Sequence, residues 1–327
     1  MKKVVAIVLA LVMVLGMVAC GAKQEAPAAK SGYNISVILK TTSSEYWGYV
    51  VAGCEAYSKD HPEVKVTVVG PPSETSYDEQ QNMIETALGN KDNDAFVIAP
   101  LQSDMVATMI SGETRPVLAV DTKITAKEIV SFVGTGNEEA AKLGGQEAAK
   151  LAKERGWTEI NCIEIAGVQG DQTNTDRMNG YKAGVEAAGG KFLDDEVQYA
   201  NAVADQAVTC MEAIMQNHPE GVAIICANND DMAQAAARAA AGNEAYANTV
   251  FMGFDGTQSA CKSILAGEET MSVAQQPYQM GYKAVEAAVA ALKGETLAAF
   301  IDSGAGVVSP DSAQSRYDEL VALVGAQ

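Results

Sequence analysis

Apolar residues along this chain fall into short continuous blocks, separated by longer stretches in which they recur every three or four positions. The blocks are "YNISVILK", "VKVTVVG", "DAFVIAP", "PVLAVD", "INCIEIAG", "GVAIICA" and "TVFMGFD". A short apolar run without polar alternation is what a strand covered on both faces requires. Between the blocks, Val50, Cys54 and Tyr57 fall at i, i+4 and i+7, and Val208, Met211 and Met215 do much the same. That spacing puts one apolar face on a helix. Strand and helix alternating this often predict parallel sheets with right-handed crossovers, an α/β fold.

An internal echo points to two copies of the plan. "SKDHPEVKVTVV" and "MQNHPEGVAII", one in each half, both pass from a helix through His-Pro-Glu straight into a strand. The two histidines of the chain, His61 and His218, are used up in this echo. Both are expected where strands begin, which is the wrong end of a parallel sheet for catalysis.

The amino terminus has a different character. In "MKKVVAIVLALVMVLGMVAC", two lysines precede an unbroken apolar stretch and small residues lead to Cys20. This is the layout of a secretory signal. Met17, Val18, Ala19 and Cys20 resemble the bacterial lipoprotein box, with Met17 where leucine is usual. The resemblance implies that residues 1–19 are removed and that Cys20 carries lipid. A plain transmembrane anchor is the alternative, and the stretch is near the lower length limit for one. Residues 20–32, small, polar and containing a proline, form a tether.

Charge narrows the partners. The formal net charge is −19, and loss of Lys2 and Lys3 with the signal takes it to −21. So acidic a surface argues against nucleic acid and anionic lipid as partners, leaving the lipid anchor as the only membrane link. Residues 33–327 are numerous enough for two domains with their own cores, and no later stretch is long and apolar enough to span a bilayer. Five cysteines follow Cys20, at 54, 162, 210, 226 and 261, without CxxC or metal-like spacing. An odd number lying mostly in apolar runs reads as small buried hydrophobes rather than as a disulfide framework.

In open parallel sheets ligands lie beyond the carboxyl ends of the strands. The strand exits here hold Ser43, Ser44, Tyr46 and Trp47, then "PPSET", "PLQSD", and Asp121 with Thr122. The second half continues with "QGDQTNTDR", "NNDD", Asp255 in "GFDGT", and "AQQP". These exits are rich in hydrogen-bonding groups and poor in cations. Planar Asp and Asn groups beside a flat aromatic face suit a small polyhydroxylated ligand, whose hydroxyls need directional partners and whose C–H face stacks.

The same residues carry a family resemblance. "SSEYW", the Asp ending "VLAVD", "DRMNGY", "NND" before "DMA", "GFDGT" and "AQQP", in this order, resemble the type I periplasmic binding proteins, most of all the ribose-binding branch that feeds sugar ABC transporters. The resemblance covers nearly the whole mature chain. It implies two doubly wound lobes joined by three crossovers, one from 33–134 plus 276–301 and the other from 135–275 plus 302–327, with ligand enclosed between them. It implies ligand contacts at Ser44, Tyr46, Trp47, Asp121, Asn229, Asp255 and Gln275, and places Thr175 and Arg177 at two further contact positions. Five of these have a plainer role open to them: a helix staple for the two aromatics, an N-cap for Asn229, a turn for Asp255, a polar strand end for Gln275.

Two positions depart from the ribose pattern. Arginines of that branch are replaced by Thr122, after Asp121, and by Thr175, leaving Arg177 alone. Arg177 is open between touching ligand and bracing its helix start through Asp176 or Asp171. Threonine cannot imitate a bidentate guanidinium, so a larger neutral sugar, a cyclitol or an amine-bearing ligand fits this set better than ribose.

Other functions find less support. "GTGNEE" lacks the third glycine and the strand-to-helix setting of a dinucleotide loop, and neither GxSxG nor a P-loop occurs. Asp121 and Asp255 as a hydrolytic pair is the one enzymatic arrangement available. Repressors sharing the two-lobed core begin with a helix-turn-helix, whereas this chain begins with an export signal. The expectation is therefore a monomeric, lipid-anchored extracytoplasmic binding protein, not an enzyme. It needs no cofactor or metal and hands a sugar-like ligand to an ABC permease. Service to a membrane receptor or kinase, or a nucleoside ligand, remains the alternative.

Overall fold

The structure is a computed structural model that describes residues 32–326. The signal, Cys20 and all but the last residue of the tether lie outside the described residues. From Tyr33 the chain alternates as its apolar blocks require: β1 (Tyr33–Ile38), α1 (Glu45–Asp60), β2 (Val64–Val69), α2 (Tyr77–Gly89), β3 (Ala95–Ile98), α3 (Ser103–Met109), β4 (Val117–Val120) and β5 (Ile129–Gly134). A second series follows: α4 (Asn137–Glu154), β6 (Asn161–Ala166), α5 (Gln172–Ala187), β7 (Lys191–Phe192), β8 (Gln198–Tyr199), α6 (Ala204–Asn217), β9 (Ile224–Ala227), α7 (Asp230–Ala240), β10 (Val250–Asp255), α8 (Gln258–Ala266) and β11 (Met271–Gln275). The chain closes with α9 (Pro277–Leu292), β12 (Phe300–Asp302), β13 (Ala305–Val308) and α10 (Ala313–Val324).

Two sheets result, in the orders β12-β5-β4-β3-β1-β2 and β13-β11-β10-β9-β6-β7, with β8 also beside β6. The pairings are parallel except for β13 on β11. Each sheet is the centre of an α/β lobe. The backbone passes between the sheets after β5, after β11 and after β12.

The continuous apolar blocks are central strands: every residue of β3, β4, β9, β10 and β11 is buried. β2 is the exception. "VKVTVV" occupies a sheet edge and alternates, with Lys65 and Thr67 exposed, because an edge strand has a neighbour on one side only.

In each lobe one helix pair approaches closely through glycine. A Cβ on Gly53 of α1 would stand 2.0 Å from the Tyr278 carbonyl oxygen, and one on Gly281 of α9 would stand 2.1 Å from that of Val50. Gly184 of α5 makes the same kind of contact with α4 at the Lys142 carbonyl. Thus α9, which follows the second sheet in sequence, is built into the first lobe, where Met280, Ala284 and Val285 join the core of Val37, Val97 and Val120.

Cys54, Cys162, Cys226 and Cys261 are buried free thiols, as small apolar fillers should be, and Cys210 is half-buried. His61 and His218 cap the carboxyl ends of α1 and α6, just ahead of a strand. Among the described residues no helix is long and apolar enough to cross a membrane.

A candidate ligand cleft between two sheet edges

The carboxyl ends of both sheets converge on one cleft. From the first lobe its walls include Lys40, Ser44, Tyr46, Trp47, Glu74 and Asp121; from the second come Asp171, Thr173, Asn174, Arg177, Asn228, Asn229, Asp230, Asp231, Asp255 and Thr257. Several are helix caps. Ser44, Asp171 and Asn229 each accept a backbone N–H at the start of α1, α5 and α7, so the turn that leaves a strand and starts a helix also aims the side chain at the cleft. Asn229 uses Oδ1 for Met232 N at 2.9 Å, so its cap role and its place in the wall coexist.

Tyr46 and Trp47 meet edge to face, 5.1 Å between centroids at 87°. Each is tied to an acid of the cleft: the Tyr46 hydroxyl donates to Asp121 Oδ1 at 2.7 Å, and Trp47 Nε1 donates to Glu74 Oε1 at 2.9 Å. Both rings are also core, at 7% and 2% exposure. The staple and wall roles are therefore combined in one pair.

Asp121 and Asp255 end β4 and β10 with positive φ, +62° and +126°. A non-glycine residue there costs on the order of 1–3 kcal/mol, and such strain gathers at functional sites. Asp121 Oδ2 accepts the Thr122 hydroxyl at 2.7 Å. Asp255 Oδ1 accepts Gln275 Nε2 at 2.8 Å and faces Arg177 Nη1 at 3.7 Å. Burial, against the opposing charge of Arg177, holds the Asp255 carboxyl well above the usual range.

Arg177 pairs with neither Asp176 nor Asp171. Its Nε donates to Asn137 Oδ1 at 2.9 Å and its Nη1 to the Asn228 carbonyl at 2.8 Å, while the guanidinium lies 3.8 Å over the Phe254 ring. Burial of the whole side chain makes these near neighbours its partners, whereas Asp171 is taken by Lys40. Lys40 Nζ donates to Asp171 Oδ2 at 2.6 Å and stands 4.0 Å from Asp121 Oδ2. Burial alone would lower the Lys40 pKa, but Asp171, Glu74 and Asp121 outweigh it and push it up to about 12. The cation stays charged in the closed cleft.

Two expected contact residues lie off the wall. The Thr175 hydroxyl turns back along α5 to the Asp171 carbonyl at 2.9 Å, the local bond open to a threonine in a first helical turn. Gln275, 1% exposed, sits behind Asp255 and orients it. Conversely Lys40, Glu74, Asp171, Asn174, Asn228 and Asp230 line the cleft without having been singled out. Lys40 had a legible signal, a lone cation ending an apolar strand. Asn228 and Asp230 flank Asn229 in "NNDD", and Asp230 accepts both the N–H and the hydroxyl of Thr257, at 2.9 and 3.1 Å.

Contacts at three places tie the lobes across the cleft. They are Lys40 with Asp171, the Thr122 and Thr173 hydroxyls at 2.8 Å, and Glu45 Oε1, which accepts the Gln258 N–H at the start of α8 at 2.7 Å. The last of them is reinforced by the Tyr49 hydroxyl, which accepts the Gln258 N–H, and by the Ser259 N–H, which Glu45 also accepts.

Two α/β lobes around a polar cleft lined from both sides define a two-lobed ligand-binding protein. The chain belongs to the family described as periplasmic binding protein domain, whose sequence model matches residues 35–296. The family is one of extracytoplasmic solute-binding proteins for transport, not of enzymes. Among its relatives is the ribose import binding protein of Salmonella typhimurium, 31% identical over 207 residues, which are 62% of this chain and 67% of that protein. That of Bacillus subtilis is 27% identical over 304 residues, 90% and 95% of the two chains. A carbohydrate transporter solute-binding protein of Agrobacterium radiobacter, solved in complex with D-arabinose, has a TM-score of 0.79 at 26% identity, covering 90% of this chain and 100% of that one.

Proposed function

We propose that this protein captures a monosaccharide-sized sugar or cyclitol between its lobes and delivers it to an ABC permease. The observation that carries the reading is the convergence of Asp121 and Asp255, each on a strained strand end, on one cleft that also holds an aromatic pair. Ser44, Tyr46, Trp47, Asp121, Arg177, Asn229 and Asp255 are the contacts, with Gln275 and Thr175 supporting from behind. The rigid bodies are residues 33–134 with 276–301 and residues 135–275 with 302–327, and closure about the three crossovers is what ligand selects. The protein works as a monomer, exported by residues 1–19 and held at the outer face of the membrane by lipid on Cys20.

A thermal-shift screen of sugars and cyclitols tests the reading. A ligand at a hundred times its dissociation constant adds about 2.7 kcal/mol of stability. A screen in which no sugar or cyclitol raises the melting temperature would remove it.

A further inference from the structure

The charge of the cleft is unbalanced. Six carboxylates line it, those of Glu74, Asp121, Asp171, Asp230, Asp231 and Asp255, against the two cations Lys40 and Arg177. Lys40 is shared among the acids on its side and bound to Asp171. Arg177 spends its hydrogen bonds on Asn137 and Asn228 and its face on Phe254, approaching Asp255 no closer than 3.7 Å. Asp230 accepts from the neutral donors Thr257 and Ser272 and has a further buried acid, Glu269, behind it, while Asp231 on the rim has no hydrogen bond among the described residues.

A second observation is independent of the tally. Asp255 is 7% exposed and lines the cleft, yet only its Oδ1 is bonded. Its Oδ2 makes no hydrogen bond among the described residues and is the oxygen left for a ligand in the cleft. We infer that the ligand is a sugar or cyclitol bearing a protonated amine, and that its ammonium is received by Asp255 with Asp230 and Asp231. A hydroxyl would satisfy one lone pair there, whereas an ammonium also supplies the missing charge and forms the stronger, charge-assisted bond. Elevated pKa values agree with the deficit. Burial first, then neighbouring acids, raises Glu74, Asp231 and Asp255, and Asp230 reaches about 7.

The inference rests on the sugar-binding reading and is tested so that the two fail differently. D-Glucosamine, D-galactosamine, D-mannosamine and an inosamine are titrated by calorimetry at neutral pH beside their neutral parents and their N-acetyl forms, which keep the nitrogen and lose the charge. The expected result is at least one amine bound about tenfold or more tighter than both its parent and its N-acetyl form. Neutral parents binding as tightly as the amines would overturn the inference and leave the sugar reading standing. No binding by any of these compounds, with another neutral sugar or cyclitol stabilising the protein in the thermal-shift screen, would overturn the inference alone; no binding in either experiment would overturn both. Asp255→Asn should narrow the ratio of amine to parent affinity by about fivefold or more, since it keeps the shape and removes the charge. Asp231→Asn, on the exposed rim where folding is not at stake, should narrow it in the same sense. A ratio unchanged in both variants would overturn the assignment to these acids.

Discussion

Lys40 Nζ and Asp171 Oδ2 are 2.6 Å apart, joining the end of the first strand of one lobe to the helix cap of the other. Both side chains are nearly inaccessible to water, so the pair exists as a strong bond only when the cleft is closed. Removing one partner of such a pair leaves the other charge buried alone, at a cost of about 3–5 kcal/mol, unless the structure opens to hydrate it. Opening is available here. Lys40→Gln should therefore shift the protein to the open form and weaken ligand by about tenfold or more. Small-angle scattering with saturating ligand reads this directly; dimensions and affinity equal to the parent would show that the pair does not hold the lobes.

Glu45 acts on closure from outside the cleft. It accepts the Gln258 N–H at the start of α8, an added cap from the opposite lobe beside the helix's own N-cap, Thr257. Loss of a helix cap costs about 0.5–2 kcal/mol, and here the loss falls on the closed state alone. Glu45→Ala should raise the dissociation rate of ligand and leave the rank order of ligands as it was. Stopped-flow displacement measures the first and competition titration the second. An altered rank order would mean that Glu45 reads the ligand itself.

Trp47 is both reporter and core. The other tryptophan, Trp157, donates Nε1 to the Asn248 carbonyl at 2.8 Å and takes no part in the cleft, so ligand-induced change in emission should come from Trp47. Trp47→Ala should remove that signal and also cost about 3–5 kcal/mol of stability, because the ring is 2% exposed and packed with Val37, Leu39 and Val50. Chemical denaturation checks the second part. A destabilisation below about 1 kcal/mol would show the ring to be peripheral to the core.

Glu164 gives a pH signature. It is wholly buried on β6, with one oxygen lacking any hydrogen bond, and burial pushes its pKa up to about 8. A carboxyl whose pKa is higher folded than unfolded binds its proton more tightly in the native state. Its contribution to stability is full below the unfolded pKa and lost as pH rises through the folded one. The window runs from the ordinary glutamate value near 4.5 to about 8. Glu164→Gln, which keeps the planar shape of the carboxyl and cannot ionise, should flatten the decline of melting temperature across that window. Parallel declines in the two proteins would place the titration elsewhere.

Anchoring is separable from binding. Cys20→Ser should release the protein from membranes in fractionation while its ligand affinity stays the same, since lipid and fold are independent devices. Membrane association undiminished by the change would exclude lipid on Cys20.

By itself the sequence determined the α/β class, the central strands, the positions of the caps and the candidacy of Asp121, Asn229 and Asp255. These follow from local rules: the period of apolar residues, the residue types at helix starts, and the rule that parallel sheets bind ligands at their carboxyl ends. Tertiary structure decided what depends on partners far away in the chain. Lys40 and Asp171 are 131 residues apart, and no periodicity relates them. Nothing local distinguishes Gln275, which props Asp255 from behind, from a residue facing the cleft, because one step along a strand moves a side chain to the other face. Thr175 and Thr173 stand on the same turn of α5, yet only Thr173 reaches the wall, since two residues on a helix rotate the side chain to the opposite side. β2 likewise reads as a central strand until the sheet order puts it at an edge. Composition could count an excess of acids; only the folded cleft decided which six share two cations.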